Sequence, residues 1–127
     1  MQKAINNWIK SGEYDFQTAQ AMFQSKRYIY VVFMCHLSLE KFLKAVVLQN
    51  TKKAPSKTHD LASLVRSASL NIPSELSSII ARLNEVSIPT RYPEDFVKLQ
   101  KSYTQNVARH YLGQVEVLLK WLKAQLN

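Results

Sequence analysis

A small group of residues near the middle of this 127-residue chain is spaced for joint action. His36, Glu40 and Lys44 are four apart, and Lys41 follows Glu40 directly. On a helix this spacing places His36, Glu40 and Lys44 on one slowly drifting stripe. One reading is a charged row bordering a groove, with Lys41 and Lys44 as phosphate contacts. A plainer reading is an exposed ion pair, because Glu followed four residues later by Lys is the favoured orientation, worth about a few tenths of a kcal/mol. The second candidate is Arg91-Tyr92, between Pro89 and Pro93. An Arg and a Tyr on a proline-stiffened segment suit a phosphate and a stacked base. They equally suit packing, with Tyr92 on the core and Arg91 on backbone carbonyls or a carboxylate such as Glu40.

Other chemistries find little support. His36, His59 and His110 show no HxxxH or HxH spacing, so each reads as a packing or capping residue and no metal is expected. A single cysteine, Cys35, can form no disulfide within the chain and excludes every Cys-based zinc cluster. It ends the apolar run Tyr28–Cys35, the setting of a buried, inert thiol. The chain has no Gly-x-Ser-x-Gly elbow, and its two glycines cannot build a Walker A or GxGxxG loop. Hydrolase and NTPase readings of the usual kinds fail, and no cofactor is implied.

The elements that must position these residues are helical. Two glycines and four prolines are too few for the turns of a β-sandwich or barrel. Apolar residues Ile5, Trp8, Ile9, Phe16, Ala19 and Phe23 recur at the helical period, predicting a first helix over about 2–24. Gly12 lies on the same stripe and admits close approach of another helix, at a cost of about 1 kcal/mol relative to Ala. Ser25-Lys26-Arg27 is the predicted turn. A second helix follows over about 28–49, apolar nearly all round in its first half and so buried on several sides or in an oligomer interface. Residues 50–57 read as a loop. Thr58 is the expected N-cap of a short helix with Leu61, Leu64, Val65 and Ala68 inward. Ser74 is the expected cap of a fourth helix with stripe Leu76, Ile79, Ile80 and Leu83. Two prolines predict an extended connector over 86–96. A last helix spans about 102–126, with Val107, Tyr111, Val115, Leu118, Leu119 and Leu122 as its core face.

The length suits one domain over 1–127. The eight-residue run Tyr28–Cys35 is the longest apolar stretch, far short of the about 20 residues that a membrane span requires. With no apolar stretch at the N-terminus and a lone cysteine, a cytoplasmic location is expected. Seventeen Lys and Arg against nine Asp and Glu give a net charge of +8, unevenly spread. From Lys41 to Lys57 inclusive there are five lysines and no acid. Such a field either attracts a polyanion or simply keeps a surface solvated.

The segment Cys35-His36-Leu37-Ser38-Leu39-Glu40-Lys41-Phe42-Leu43-Lys44-Ala45 resembles the second helix of HEPN (higher eukaryotes and prokaryotes nucleotide-binding) domains. Three further stretches resemble the family in the same order. They are Trp8-Ile9-Lys10-Ser11 with Tyr14-Asp15 and Thr18-Ala19, then Thr58-His59-Asp60-Leu61 with Leu64, then Ile88-Pro89-Thr90-Arg91-Tyr92-Pro93. The resemblance spans essentially the whole chain. It implies an all-α, up-and-down helical bundle of four main helices plus a short extra helix, commonly dimeric. It also implies a minimal nucleotidyltransferase as partner, in a toxin–antitoxin module. Active HEPN toxins are metal-independent RNases with an Arg-x4–6-His motif, and no Arg here is followed by His at that spacing. Arg27 and His36 are nine apart; Arg109 and His110 are adjacent and so point about 100° apart on a helix.

The expectation is therefore a homodimeric nucleotide- or RNA-binding module without robust catalysis. Its candidate phosphate contacts are Lys41, Lys44, Arg91 and Tyr92, with His36, Glu40 and His59 as groove residues. Two alternatives stand beside it: an RNase with a non-standard site, such as His36 with Arg91, and a dimeric scaffold whose basic face is incidental.

Overall fold

A computed structural model describes residues 1–127, except for the side chains of residues 87–91. Its helices, in order, are α1 (Gln2–Gln24), α2 (Tyr28–Thr51), α3 (Leu61–Ser67), α4 (Ser74–Arg91), α5 (Phe96–Ser102) and α6 (Gln105–Gln125). There are thus four long helices and two short ones, and no strand among the described residues. No helix of the described residues is long and apolar enough to cross a membrane.

The expected turn joins α1 to α2. Arg27 N–H donates to Met22 O at 2.8 Å and Lys26 N–H to Phe23 O at 3.1 Å, which takes up the last carbonyls of α1. This closure puts Lys26 in the left-handed region at φ 62°, a conformation that glycine adopts more comfortably. A turn this short makes α1 and α2 an antiparallel hairpin. Close packing follows from Gly12: a β-carbon there would stand 2.7 Å from the Phe42 ring. The same approach lets Ser38 Oγ donate to Gly12 O at 2.6 Å.

α2 is the axis of the molecule, with α1, α3, α4, α5 and α6 all packed on it. That position explains its apolar all-round character, since Val31, Val32, Cys35, Leu39, Phe42, Leu43 and Val46 are fully buried. Each large side chain so buried contributes roughly 1.5–3 kcal/mol relative to exposure. The inward stripes expected of α4 and α6 are also found: Leu76, Ile79, Ile80 and Leu83 from one, and Tyr111, Val115, Leu118, Leu119 and Leu122 from the other.

Several boundaries differ from those expected. α2 runs on to Thr51 and closes with Lys52 at φ 62°. The cap of α3 is Asp60, which accepts from Ala62 N–H at 3.2 Å, whereas Thr58 accepts from Asp60 N–H one step earlier. Ser74 is the first residue of α4, and it is the carbonyl of Pro73 that receives Ser77 N–H. α4 continues past Pro89 to Arg91, where an extended segment was expected. A proline removes one helical N–H, and the buried stripe upstream outweighs that loss. The connector shrinks to residues 92–95, and the additional short helix α5 follows, capped by Asp95 accepting from Lys98 N–H at 3.0 Å. α6 accordingly starts at Gln105, behind the Thr104 cap.

Candidate binding site

The central stretch of α2 places His36, Glu40 and Lys44 on successive turns, as their spacing requires, and all three are buried. Glu40 is the hub. Lys44 Nζ donates to its Oε2 at 3.1 Å, and His36 Nδ1 lies 3.9 Å from its Oε1. The ammonium of Lys44 also sits 5.4 Å from the centroid of the Trp8 ring on α1, a cation–π contact that compensates part of its desolvation.

The loop before α3 brings in His59, 19 residues away in sequence. Its Nδ1 stands 2.9 Å from Glu40 Oε1. The carboxylate can only accept, so His59 Nδ1 carries a proton. The His59 side chain is 64% exposed and that of Glu40 5%, so His59 links a buried carboxylate to solvent. Asn84 of α4 fixes the neighbouring backbone. Its Nδ2 donates to Asp60 Oδ1 at 2.8 Å and its Oδ1 accepts from Leu61 N–H at 2.9 Å. The Asn84 hydrogen bond holds the Asp60 carboxyl below the usual range against the opposing effect of burial, aided by the backbone N–H groups of Ser63 and Ala62 and by the Arg66 charge.

Lys41 turns the other way. Its Nζ pairs with Asp15 Oδ2 of α1 at 2.6 Å, and Asp15 is itself buried. Asp15, Trp8 and Asn84 are therefore part of this polar layer and escaped the sequence reading. Each is far in sequence from its partner, and only the helix pairing reveals it. Two of them left a trace in the sequence, Trp8 on the apolar stripe of α1 and both Trp8 and Asp15 in the stretch that resembles the family's first helix.

Tyr92 stands away from this group. It is well exposed and lines a cavity of about 450 Å³ with Pro93, Glu94, Asp95, Lys98 and Leu99. The side chain of Arg91, its neighbour in the expected pair, lies outside the described residues. The loop lysines Lys52, Lys53 and Lys57 are all exposed. Cys35 is fully buried, and burial pushes its thiol up to about 12, the inert state expected of it. Among the described residues, no three His, Cys, Asp or Glu side chains converge to hold a metal ion.

Two crystal structures share this architecture over nearly their whole length. One is TT1696 from Thermus thermophilus, at TM-score 0.80 and 21% identity, covering 96% of this chain and 98% of that one. The other is ST0689, an archaeal HEPN homologue, at TM-score 0.77 and 24% identity, covering 97% and 98%. At such identities the likeness establishes the fold. No curated protein matches the sequence. The HEPN domain model matches residues 5–125, which is nearly every residue of the bundle just described, and the chain belongs to the HEPN domain family.

Proposed function

We propose that this HEPN chain is a nucleotide- or RNA-binding module without robust catalysis, acting as a homodimer beside a minimal nucleotidyltransferase partner in a toxin–antitoxin-type system. The observation that carries the reading is charge. The chain is +8 overall, and the α2–α3 connection presents Lys52, Lys53 and Lys57 to solvent with no acid between Lys41 and Lys57. A field of this kind concentrates polyanions. Lys41, partly exposed beside Asp15, can share a phosphate. Lys44 reaches one only by leaving Glu40. Arg91 and Tyr92 supply a guanidinium and a stacking ring at a second contact apart from the lysines, whose polar floor is His36, Glu40 and His59.

The absence of an Arg-x4–6-His motif places binding ahead of RNA cleavage. One observation favours the RNase alternative: a buried carboxylate that fixes His59 Nδ1 leaves Nε2 for proton transfer.

Anisotropy of a labelled RNA oligonucleotide tests the binding reading. Affinity should fall steeply with salt, as counterion release requires. Lys53→Glu and Arg91→Glu should each weaken binding about tenfold or more, and Lys120→Glu, an exposed α6 lysine already paired with Glu116, far less. Equal losses at all three positions would put the scaffold reading first. RNA cutting by the same preparation, abolished in His59→Ala, would favour the RNase.

A further inference from the structure

A cavity of about 240 Å³ opens where the α1–α2 turn meets α5, at the opposite end of α2 from the loop lysines. Its walls include Lys26, Arg27, Tyr28, Tyr30, Phe96 and Tyr103, and no carboxylate lines it. Among the described residues, neither Lys26 nor Arg27 pairs with a carboxylate. The larger α1–α6 groove differs in this respect, since its Lys123 is held by Glu13 at 2.8 Å. The nearby Asp95 is engaged in capping α5; Glu94 is the other acid close by in sequence.

Three features of the cavity point to a ligand that combines a negative charge with a flat ring. α2 begins at its edge with no side-chain cap and no acid in its first turn. The positive end of a 24-residue helix is thus open there, with the N–H groups of Tyr28 and Ile29 for an anion, Tyr30 N–H being taken by Arg27 O at 3.1 Å. Tyr103 is only 9% exposed, yet its hydroxyl finds no protein partner among the described residues and is not sealed from solvent. A buried phenol ordinarily has a partner. Tyr30 and Phe96 are each 49% exposed, which leaves ring surface free for stacking.

We infer that this cavity holds one unpaired nucleotide of a single-stranded nucleic acid, with its phosphate at Lys26, Arg27 and the start of α2 and its base against Tyr30 and Phe96. Tyr103 then offers its hydroxyl to a base edge or a sugar oxygen. The inference rests on the nucleic-acid reading above and adds a specificity to it. Bases paired in a duplex are held in their own stack and cannot enter, so single strands bind in preference to duplexes.

Anisotropy with a labelled oligouridine and a labelled RNA duplex of equal length tests this on the full chain. The single strand should bind more tightly. Tyr30→Ala and Phe96→Ala should each weaken it about tenfold, the usual worth of one stacked base, while leaving duplex affinity unchanged. Tyr30→Trp, which keeps a stacking surface, should retain single-strand affinity. Circular dichroism and the unchanged duplex affinity report that the variants fold. Losses equal for both RNAs, or no loss in either alanine variant, would overturn the stacking site while leaving the binding module intact. Wild-type protein that binds neither RNA would overturn both.

Discussion

Glu40 illustrates what single residues contribute in this molecule. It is a buried carboxylate shared by Lys44, His59 and, at longer range, His36. Truncation by Glu40→Ala would leave the Lys44 charge buried without its partner, and breaking a buried pair in this way typically costs about 3–5 kcal/mol. Replacing the cation instead, by Lys44→Met, keeps the packing on Trp8 and leaves Glu40 bonded to His59 through an exposed ring. That change should cost less than the truncation, because the exposed His59 ring still donates to the carboxylate. Urea unfolding of the two variants measures the difference, and comparable losses would mean that the pair is not the hub described. The four-residue spacing made the Glu40–Lys44 pair legible in the sequence. Its burial was not legible, because no local pattern says which face of an almost wholly apolar helix is covered. Lys41 shows the same limit: its carboxylate, Asp15, is 26 residues away, and only the tightness of the hairpin brings the two together.

Among the helices, the two glycines carry opposite predictions. Gly12 faces the Phe42 ring at 2.7 Å and the Ser38 carbonyl at 3.2 Å from where a β-carbon would sit. Phe42 is fully buried and has nowhere to move. Gly12→Ala should therefore wedge α1 from α2 and strain the Ser38–Gly12 hydrogen bond, costing about 1–3 kcal/mol. At Gly113 of α6 an added β-carbon meets nothing within 4 Å. Gly113→Ala should stabilise by about 0.5–1 kcal/mol through helix propensity. Thermal melts monitored at a helical wavelength should move in opposite directions. The role of Gly12 was readable from its place on an apolar stripe, and so were the ends of α1 and the stripes of α4 and α6. Thr58 and Asp60 are both good caps two residues apart, and the choice between them was made by Asn84, which reaches over from α4. α5 has seven residues and none of them buried, so it left no stripe to read. The proline rule failed at Pro89 because a long helix tolerates one missing bond near its end.

At the scale of the whole molecule, the fold class followed from glycine scarcity and apolar periodicity, and a single central helix explains why one segment is apolar on every side. For the run Tyr28–Cys35 the sequence left open burial within the bundle or in an oligomer interface. Ile29, Val31, Val32 and Cys35 are covered by the chain itself, and Tyr30 is the exposed member. Of the exposed aromatics, Tyr14 lies on α1, Tyr30 in the first turn of α2, and Tyr92 before and Phe96 at the start of α5, in the stretch that the sequence marked as a connector. Lys26 in the turn before α2 holds a left-handed backbone, at φ 62°, where a side chain is a burden of about 1 kcal/mol. Lys26→Gly should accordingly melt at a higher temperature than the parent chain while binding oligouridine less tightly, since the same change removes a cation from the cavity. Stability and recognition are then in conflict at one backbone position, and a directed search for thermostable variants that ignores RNA would be expected to discard this lysine among its first steps.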